Sequence, residues 1–273
     1  MTNLAAEEWR LVREESWSGP MNMALDEIAA ETAAAGGPRT VRVYRWEPST
    51  LSLGYHQDPA TIDWAYCDRE GVTVTRRQTG GGAIYHDNRG DISYSVTAPA
   101  AAVPGDLMET YRLFCEPLLD ALDGMGVEAG YAQDEKPAVH QPACYLRKRH
   151  PAHDVVADDG RKLSGNAQYR QRDAVIQHGS LTHTSRPERH LAVFATEDVT
   201  PAEFEARVTS VHEQSGCGRE RAVSELTDAL AAWCDAVEGD WTADELSRAR
   251  ERAEKKYGAD EWVRDRTDPT SLN

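Results

Sequence analysis

Between positions 76 and 87 the chain reads Arg76-Arg77-Gln78-Thr79-Gly80-Gly81-Gly82-Ala83-Ile84-Tyr85-His86-Asp87. Three successive glycines let a backbone approach a ligand closely and present consecutive amide donors. The two arginines can meet a carboxylate or a phosphate with bidentate contacts. The spacing is neither that of a nucleotide P-loop nor that of a dinucleotide-binding turn, and a glycine-rich hairpin turn accounts for it equally well. A second cluster, Arg161-Lys162-Leu163-Ser164-Gly165-Asn166-Ala167-Gln168, is followed by Gln177-His178-Gly179-Ser180-Leu181. Only five of the 30 basic residues are lysines, so Lys162 marks a place where a compact ammonium is wanted rather than a planar fork. Such a group can reach an acyl carbonyl, a carboxylate or a phosphate; a solvated surface lysine is the alternative. The five cysteines (Cys67, Cys115, Cys144, Cys217 and Cys234) are odd in number and show no Cys-x-x-Cys pair. That fits neither a disulfide framework nor a zinc site, so no metal is expected and any special thiol acts singly.

These clusters need elements to hold them. Residues 21 to 35 place Met21, Leu25, Ile28 and Ala29 on one side of a helix that ends at glycine before Pro38. Strands are predicted at 40 to 46, 51 to 54, 72 to 75, 83 to 85 and 92 to 96, with a helix over 61 to 70 stopped by Gly71. A longer helix is predicted over 106 to 122, a loop over 131 to 151, and strands at Val155-Val156, Lys162-Leu163 and 174 to 181. From Pro187 onward the pattern is mainly helical. This order indicates an α+β (mixed α/β) domain rather than a regular βαβ repeat.

Composition narrows the function. With 46 acidic against 30 basic residues and a net charge of -16, the surface is unsuited to a phosphate backbone, and nucleic acid is excluded as a partner. Acidic groups in excess with arginine replacing lysine fit a salt-adapted, halophilic cytosolic surface; an ordinary acidic enzyme is the alternative. Residues 1 to 10 lack a basic and apolar leader, and no window approaches the ~20 apolar residues of a membrane span. A soluble, cytoplasmic protein without membrane contact is predicted.

Taken together, Met21-Asn22-Met23-Ala24-Leu25-Asp26-Glu27, the Arg76 to Asp87 run, Gly90-Asp91-Ile92-Ser93-Tyr94-Ser95, Arg161 to Ala167 and Gln177-His178-Gly179-Ser180 resemble the lipoate-protein ligase A and octanoyltransferase family, in order and at comparable spacing. The resemblance covers roughly residues 10 to 260. It implies a mixed sheet flanked by helices, related to biotin ligases and class II aminoacyl-tRNA synthetase cores. It implies that Lys162 contacts the acyl carbonyl or an adenylate phosphate, and that Arg76, Gly80, Gly81, Gly82 and His86 line the pocket. His178 and Ser180 would stand near the acyl tunnel, although either histidine could equally be structural.

Two chemistries share this scaffold: ATP-dependent ligation through an acyl adenylate, and transfer through a cysteine thioester. Pro142-Ala143-Cys144-Tyr145 resembles the segment where LipM-type octanoyltransferases carry their nucleophile. Its 18-residue distance from Lys162 implies a short insertion around Leu146 to Pro151. On the thioester route Cys144 attacks the acyl carbonyl, amide groups near Lys162 and Gly165 stabilise the oxyanion, and no cofactor is needed. Lys162 with Arg147, Lys148, Arg149 and His150 would favour the thiolate. On the ligase route ATP and magnesium enter, and Asp154 with Lys162 would bind the nucleotide, because His153-Asp154 stands where ligases carry an Asn-Asp pair. The partners implied are a lipoyl carrier protein as acceptor, either a glycine-cleavage carrier or a dehydrogenase lipoyl domain, and an octanoyl-carrier donor or free lipoate. A non-catalytic lipoate or lipoyl-carrier binding protein is the third reading. Lys256-Tyr257 to Trp262 is followed by a short polar stretch, which predicts one catalytic domain over 1–262 and a tail over 263–273.

Overall fold

The computed structural model describes residues 8–148, 154–170, 173–196 and 198–270. Its strands are β1 (Trp9–Trp17), β2 (Arg39–Trp46), β3 (Thr50–Leu53), β4 (Thr73–Arg76), β5 (Ile84–His86), β6 (Asp91–Pro99), β7 (Ala129–Tyr131), β8 (Asp154–Ala157), β9 (Lys162–Arg170), β10 (Ala174–Thr182) and β11 (Val237–Glu238). Eight of them form one sheet in the order β11-β1-β2-β6-β10-β9-β8-β7, and β4-β3-β5 form a second, smaller sheet. Pairing is parallel from β11 through β1 to β2 and antiparallel from β2 onward, so the large sheet is mixed.

Helix α1 (Gly19–Ala34) starts where the Ser18 side chain accepts from the Met21 amide and Pro20 occupies the first turn, and it ends before Gly36, whose φ is +87°. It lies across one face of the large sheet, near β2, β6 and β10. Helix α2 (Trp64–Arg69) packs beside β4, and α3 (Leu107–Gly124) covers the opposite face of the large sheet. There α3 is joined by α7 (Arg219–Cys234), which follows the short helices α4 (Pro187–Ala192), α5 (Pro201–Glu205) and α6 (Val211–Ser215). Helix α8 (Ala243–Arg252), a π-turn over Ala253–Tyr257 and α9 (Asp260–Val263) close over α1. Strand β6 is buried along almost its whole length, as a central strand covered on both faces must be. Among the described residues no helix is long and apolar enough to cross a membrane.

Three large apolar clusters result among the described residues, with a small fourth at Ala30, Ala174 and Ile176. One fills the space between the large sheet and α3 and α7, one lies around α1 and α8, and one fills the space among the small sheet, α2, α4, α5 and the segment that carries Cys144. The active-site region is the place where the small sheet meets the large one.

Candidate active site

A cavity of about 560 Å³ opens at that junction. Its volume lies within the range typical of small-molecule sites. The apolar side chains of Met23, Tyr44, Trp46 and Ile84 form part of its wall, and Cys144, Lys162 and Asp154 face it as well.

Lys162 reaches the cavity through an irregularity in its strand. Lys162 and Gly165 are three residues apart, and regular alternation would put them on opposite faces of β9. A register shift where β8 pairs with β9, between Val155 and Val156, supplies the extra residue. Leu163 therefore drops into the core while Lys162 turns to the cavity beside Gly165. A Cβ built on Gly165 would lie 3.5 Å from Lys162 Nζ and 3.6 Å from Cys144 Sγ, so thiol and ammonium flank the same point.

The Lys162 ammonium donates to Asp154 Oδ1 at 2.7 Å and to the Cys144 carbonyl at 3.3 Å. Burial works against its charge, but Asp154 first, and then the neighbouring Cys144, outweigh that cost and hold its pKa above the ordinary lysine value. The Lys162 amide donates to the Arg207 carbonyl at 2.8 Å. The oxyanion contact expected of that amide is therefore not available, and the ammonium is the donor that faces the cavity.

Cys144 opens a single 3-10 turn, half-buried, on a segment clamped to the glycine loop. The Ala83 amide donates to the Pro142 carbonyl at 2.8 Å and the Cys144 amide to the Ala83 carbonyl at 2.9 Å. Gly82 makes this contact possible, since a Cβ there would lie 2.7 Å from the Pro142 oxygen and 2.9 Å from the Cys144 nitrogen. Gly81 has φ +99°, whereas Gly80 has open space around it. Gly80 and Gly81 line the cavity; Gly82 stands behind, against the cysteine segment.

The adjacent arginines divide. Arg77 lines the cavity, while Arg76 points away from it and donates to the carbonyls of Val263, Gly54, Tyr55 and Gln57. Burial, with like charge from Arg266 and Arg77, pulls the Arg76 guanidinium down to about 10. Its expected place in the pocket is thus taken by Arg77. Two consecutive residues at a strand end face opposite sides, and that parity is the signal that separates them.

His86 stacks on Trp46 with ring centroids 4.1 Å apart, and its ring nitrogens meet Ser52 Oγ and Asp91 Oδ2, each at 2.9 Å. His178 meets Thr79 Oγ1 at 2.6 Å and Asp26 Oδ2 at 3.3 Å. Both histidines line the cavity, as does Ser180, whose hydroxyl bonds to Asp91 and to the Tyr145 hydroxyl. Ser52, Thr79, Asp26, Asp91 and Tyr145 were not singled out from the sequence, although Asp26 and Asp91 stand within the family-like motifs. Arg147 and Lys148 border the cavity; Lys148 pairs with Glu135 at 2.8 Å. Arg149, His150, His153 and half of the expected insertion lie outside the described residues. Among the described residues no cluster of three or more His, Cys, Asp or Glu side chains forms a metal site.

A mixed sheet that sets a thiol and an ammonium against one cavity of small-molecule size is suited to holding an activated acyl group. The family described as "Lipoyl protein ligase A/B catalytic domain" matches residues 18–234. An octanoyltransferase LipM of Kyrpidia tusciae is 33% identical over 271 residues, covering 93% of this chain and 97% of that protein. A crystal structure of lipoate-protein ligase A bound with ATP aligns with a TM-score of 0.78 at 25% identity, over 94% of this chain and 98% of that one. The bi-partite lipoate protein ligase of Thermoplasma acidophilum, described with its E2 lipoyl domain, shares the fold with a TM-score of 0.77 at 24% identity, over 94% and 96% of the two chains. The chain belongs to the lipoyl protein ligase A/B catalytic domain family and is an enzyme of its acyltransferase and ligase class.

Proposed function

We propose that this enzyme moves an octanoyl or lipoyl-type acyl group from a carrier to a lysine of a lipoyl carrier protein, through a thioester on Cys144. The observation that carries this reading is the convergence of the Cys144 sulfur and the Lys162 ammonium on Gly165 at the cavity wall. In the first step the thiol attacks the donor thioester carbonyl, a new carbon–sulfur bond forms, and the donor leaves as a free thiol carrying the proton that Cys144 gave up. In the second, the neutral ε-amine of the acceptor lysine attacks, an amide forms, and the proton returns to Cys144. No net oxidation occurs and no nucleotide is consumed. Lys162 stabilises the developing oxyanion in each step, with Asp154 keeping it charged. The name of the Kyrpidia tusciae relative supports octanoyl as the group transferred. A dehydrogenase lipoyl domain or a glycine-cleavage carrier serves as acceptor, and the acidic, arginine-rich composition suits a salt-rich cytoplasm.

Mass spectrometry of the intact protein after incubation with octanoyl-carrier, without ATP, tests the reading. An octanoyl adduct on Cys144, lost in Cys144→Ala along with transfer, is the expected outcome. ATP-dependent lipoylation that survives Cys144→Ala would overturn it. That outcome is the second reading, favoured by the likeness to a ligase with ATP bound. On that route ATP and magnesium supply the activation of free lipoate, Lys162 and Asp154 serve the nucleotide, and Cys144 is incidental. A chain that binds lipoate or a lipoyl carrier but transfers nothing under either condition is the remaining outcome.

A further inference from the structure

Arg77 is buried at 2% exposure, and all five of its N–H groups are engaged. Nε donates to Thr79 Oγ1 at 3.0 Å, and one terminal nitrogen donates to the Ser52 carbonyl at 2.7 Å and to Ser52 Oγ at 3.3 Å. The other terminal nitrogen donates to the carbonyls of Gly80 at 2.8 Å and Gly82 at 2.7 Å. It therefore offers nothing to a ligand's carboxylate or phosphate. It works instead as a staple across the glycine loop.

The two hydroxyls that receive Arg77 are each held by a histidine, and each histidine by a carboxylate. Carboxylates only accept, so Nδ1 of His86 carries the proton it gives to Asp91, and Nδ1 of His178 the one it gives to Asp26. In the neutral tautomer with that proton on Nδ1, Nε2 accepts from the hydroxyl, Ser52 for His86 and Thr79 for His178, which leaves the hydroxyl lone pairs facing Arg77. Burial lowers the His178 pKa against the pull of Asp26, which favours this neutral form. Asp26 is fixed in turn by Arg42 at 2.9 Å and Ser95 at 2.7 Å, and Asp91 by Ser93 at 2.7 Å and by Ser180. The chain of contacts continues past Arg77 through the Gly80 and Gly82 carbonyls to Ala83, whose amide and carbonyl pair with the segment bearing Cys144.

We propose that Asp91–His86–Ser52 and Asp26–His178–Thr79 are twin positioning relays that converge on Arg77 and, through the glycine loop, fix Cys144 in register with Lys162. Ser52 and Thr79 are positioning residues in this scheme, since they act on the reacting atoms through Arg77. The inference rests on the cavity being the acyl-transfer site, but not on which activated acyl species occupies it.

The test compares Thr79→Val, Thr79→Ser, Ser52→Ala and the Thr79→Val/Ser52→Ala double variant in the full-length enzyme, each checked for folding by thermal melting. Misplacement of reacting groups by a fraction of an ångström supports a loss of roughly tenfold in the single-turnover acylation rate when either relay is broken. KM for the donor should move less than about twofold, because the hydroxyls do not hold the donor. Thr79→Ser should recover most of the lost rate. The double variant should lose scarcely more than the worse single variant, because both relays act on one guanidinium. Losses that multiply in the double variant, a serine variant as slow as the valine one, or wild-type rates in Thr79→Val and Ser52→Ala would each overturn the inference. Absence of a Cys144 adduct in the wild type counts against the thioester route alone. The same variants are then read on the ATP-dependent rate, with the same outcomes for and against the relays.

Discussion

Lys162 and Lys256 are both buried lysines in a chain with only five, yet they sit in opposite circumstances. Lys256 lies in the π-turn between α8 and α9, held by Glu27 at 3.1 Å and Asp268 at 2.7 Å, with its ammonium 4.7 Å from the centre of the Trp262 ring. It faces no cavity. Lys162 has a single carboxylate, Asp154, and turns its ammonium to open space beside a thiol. The comparison separates a lysine buried to tie the segment after α8 to α1 from the lysine to which our proposal gives the chemistry. Scarcity of a residue type marks both; only the cavity and the neighbouring nucleophile tell them apart.

Replacing each lysine by methionine turns that contrast into a measurement. Lys162→Met should cut acyl transfer by about two to three orders of magnitude, the loss typical of one oxyanion donor, in the folded protein, and the broken ion pair with buried Asp154 lowers the melting temperature as well. Lys256→Met removes the cation shared by Glu27 and Asp268, leaving Glu27 with Arg252, and should destabilise the fold by about 1–3 kcal/mol, while the folded fraction keeps its rate. Chemical denaturation and single-turnover kinetics on both variants check the pair. Equal losses of rate would erase the distinction.

Asp154→Asn sharpens it further. Asp154 is the main reason that the Lys162 pKa stands above the ordinary lysine value, with burial opposing. A group whose pKa is raised on folding keeps its charge below that pKa and loses it as pH rises through it. With the carboxylate neutralised, burial dominates and the ammonium gives up its proton earlier. The alkaline limb of the pH–rate profile should shift to lower pH, with a smaller effect near neutrality than Lys162→Met produces. An alkaline limb that stays in place would show that Lys162 does not govern it.

Much of the fold was readable from periodicity, and the site only in part. The strands at 40 to 46 and 174 to 181 and the helices at 21 to 35 and 106 to 122 match β2, β10, α1 and α3 to within a few residues, because each carries a clear apolar pattern and a cap or glycine stop. Strand β1 escaped the reading because charged residues interrupt it. Arg10 is buried there by pairing with Glu245, 235 residues away, and local sequence gives no sign of that partner. Strand β9 proved longer than Lys162-Leu163, and its bulge decides which residues reach the cavity. The run of three glycines and the scarcity of lysine marked the glycine loop and Lys162, and the family resemblance marked Cys144. The hydroxyls of Ser52 and Thr79 carry no such mark, since serine and threonine are common, and their role depends on a guanidinium brought to them by tertiary packing.

The smallest expected effect concerns a second buried titratable group beyond the acyl site. His190 on α4 is 6% exposed, its ring lies 4.7 Å from Phe204 and 5.6 Å from Tyr145, and its Nε2 has no hydrogen-bond partner among the described residues. Burial pulls its pKa from the ordinary 6.5 down to about 3. The unfolded chain therefore binds a proton that the folded one refuses. The contribution to stability is full above about 6.5 and is lost progressively as pH falls toward 3. His190→Phe keeps an aromatic ring against the same neighbours and removes the titration. Melting curves between those limits should show a shallower fall with acidification in His190→Phe than in the wild type, while the two proteins transfer acyl groups at similar rates near neutrality. Lys256→Met, by contrast, should lower the melting temperature near neutrality as well. Parallel melting curves for His190→Phe and the wild type would place the acid sensitivity elsewhere, in carboxylates such as Glu245, held near 2 by Arg10 against its own burial.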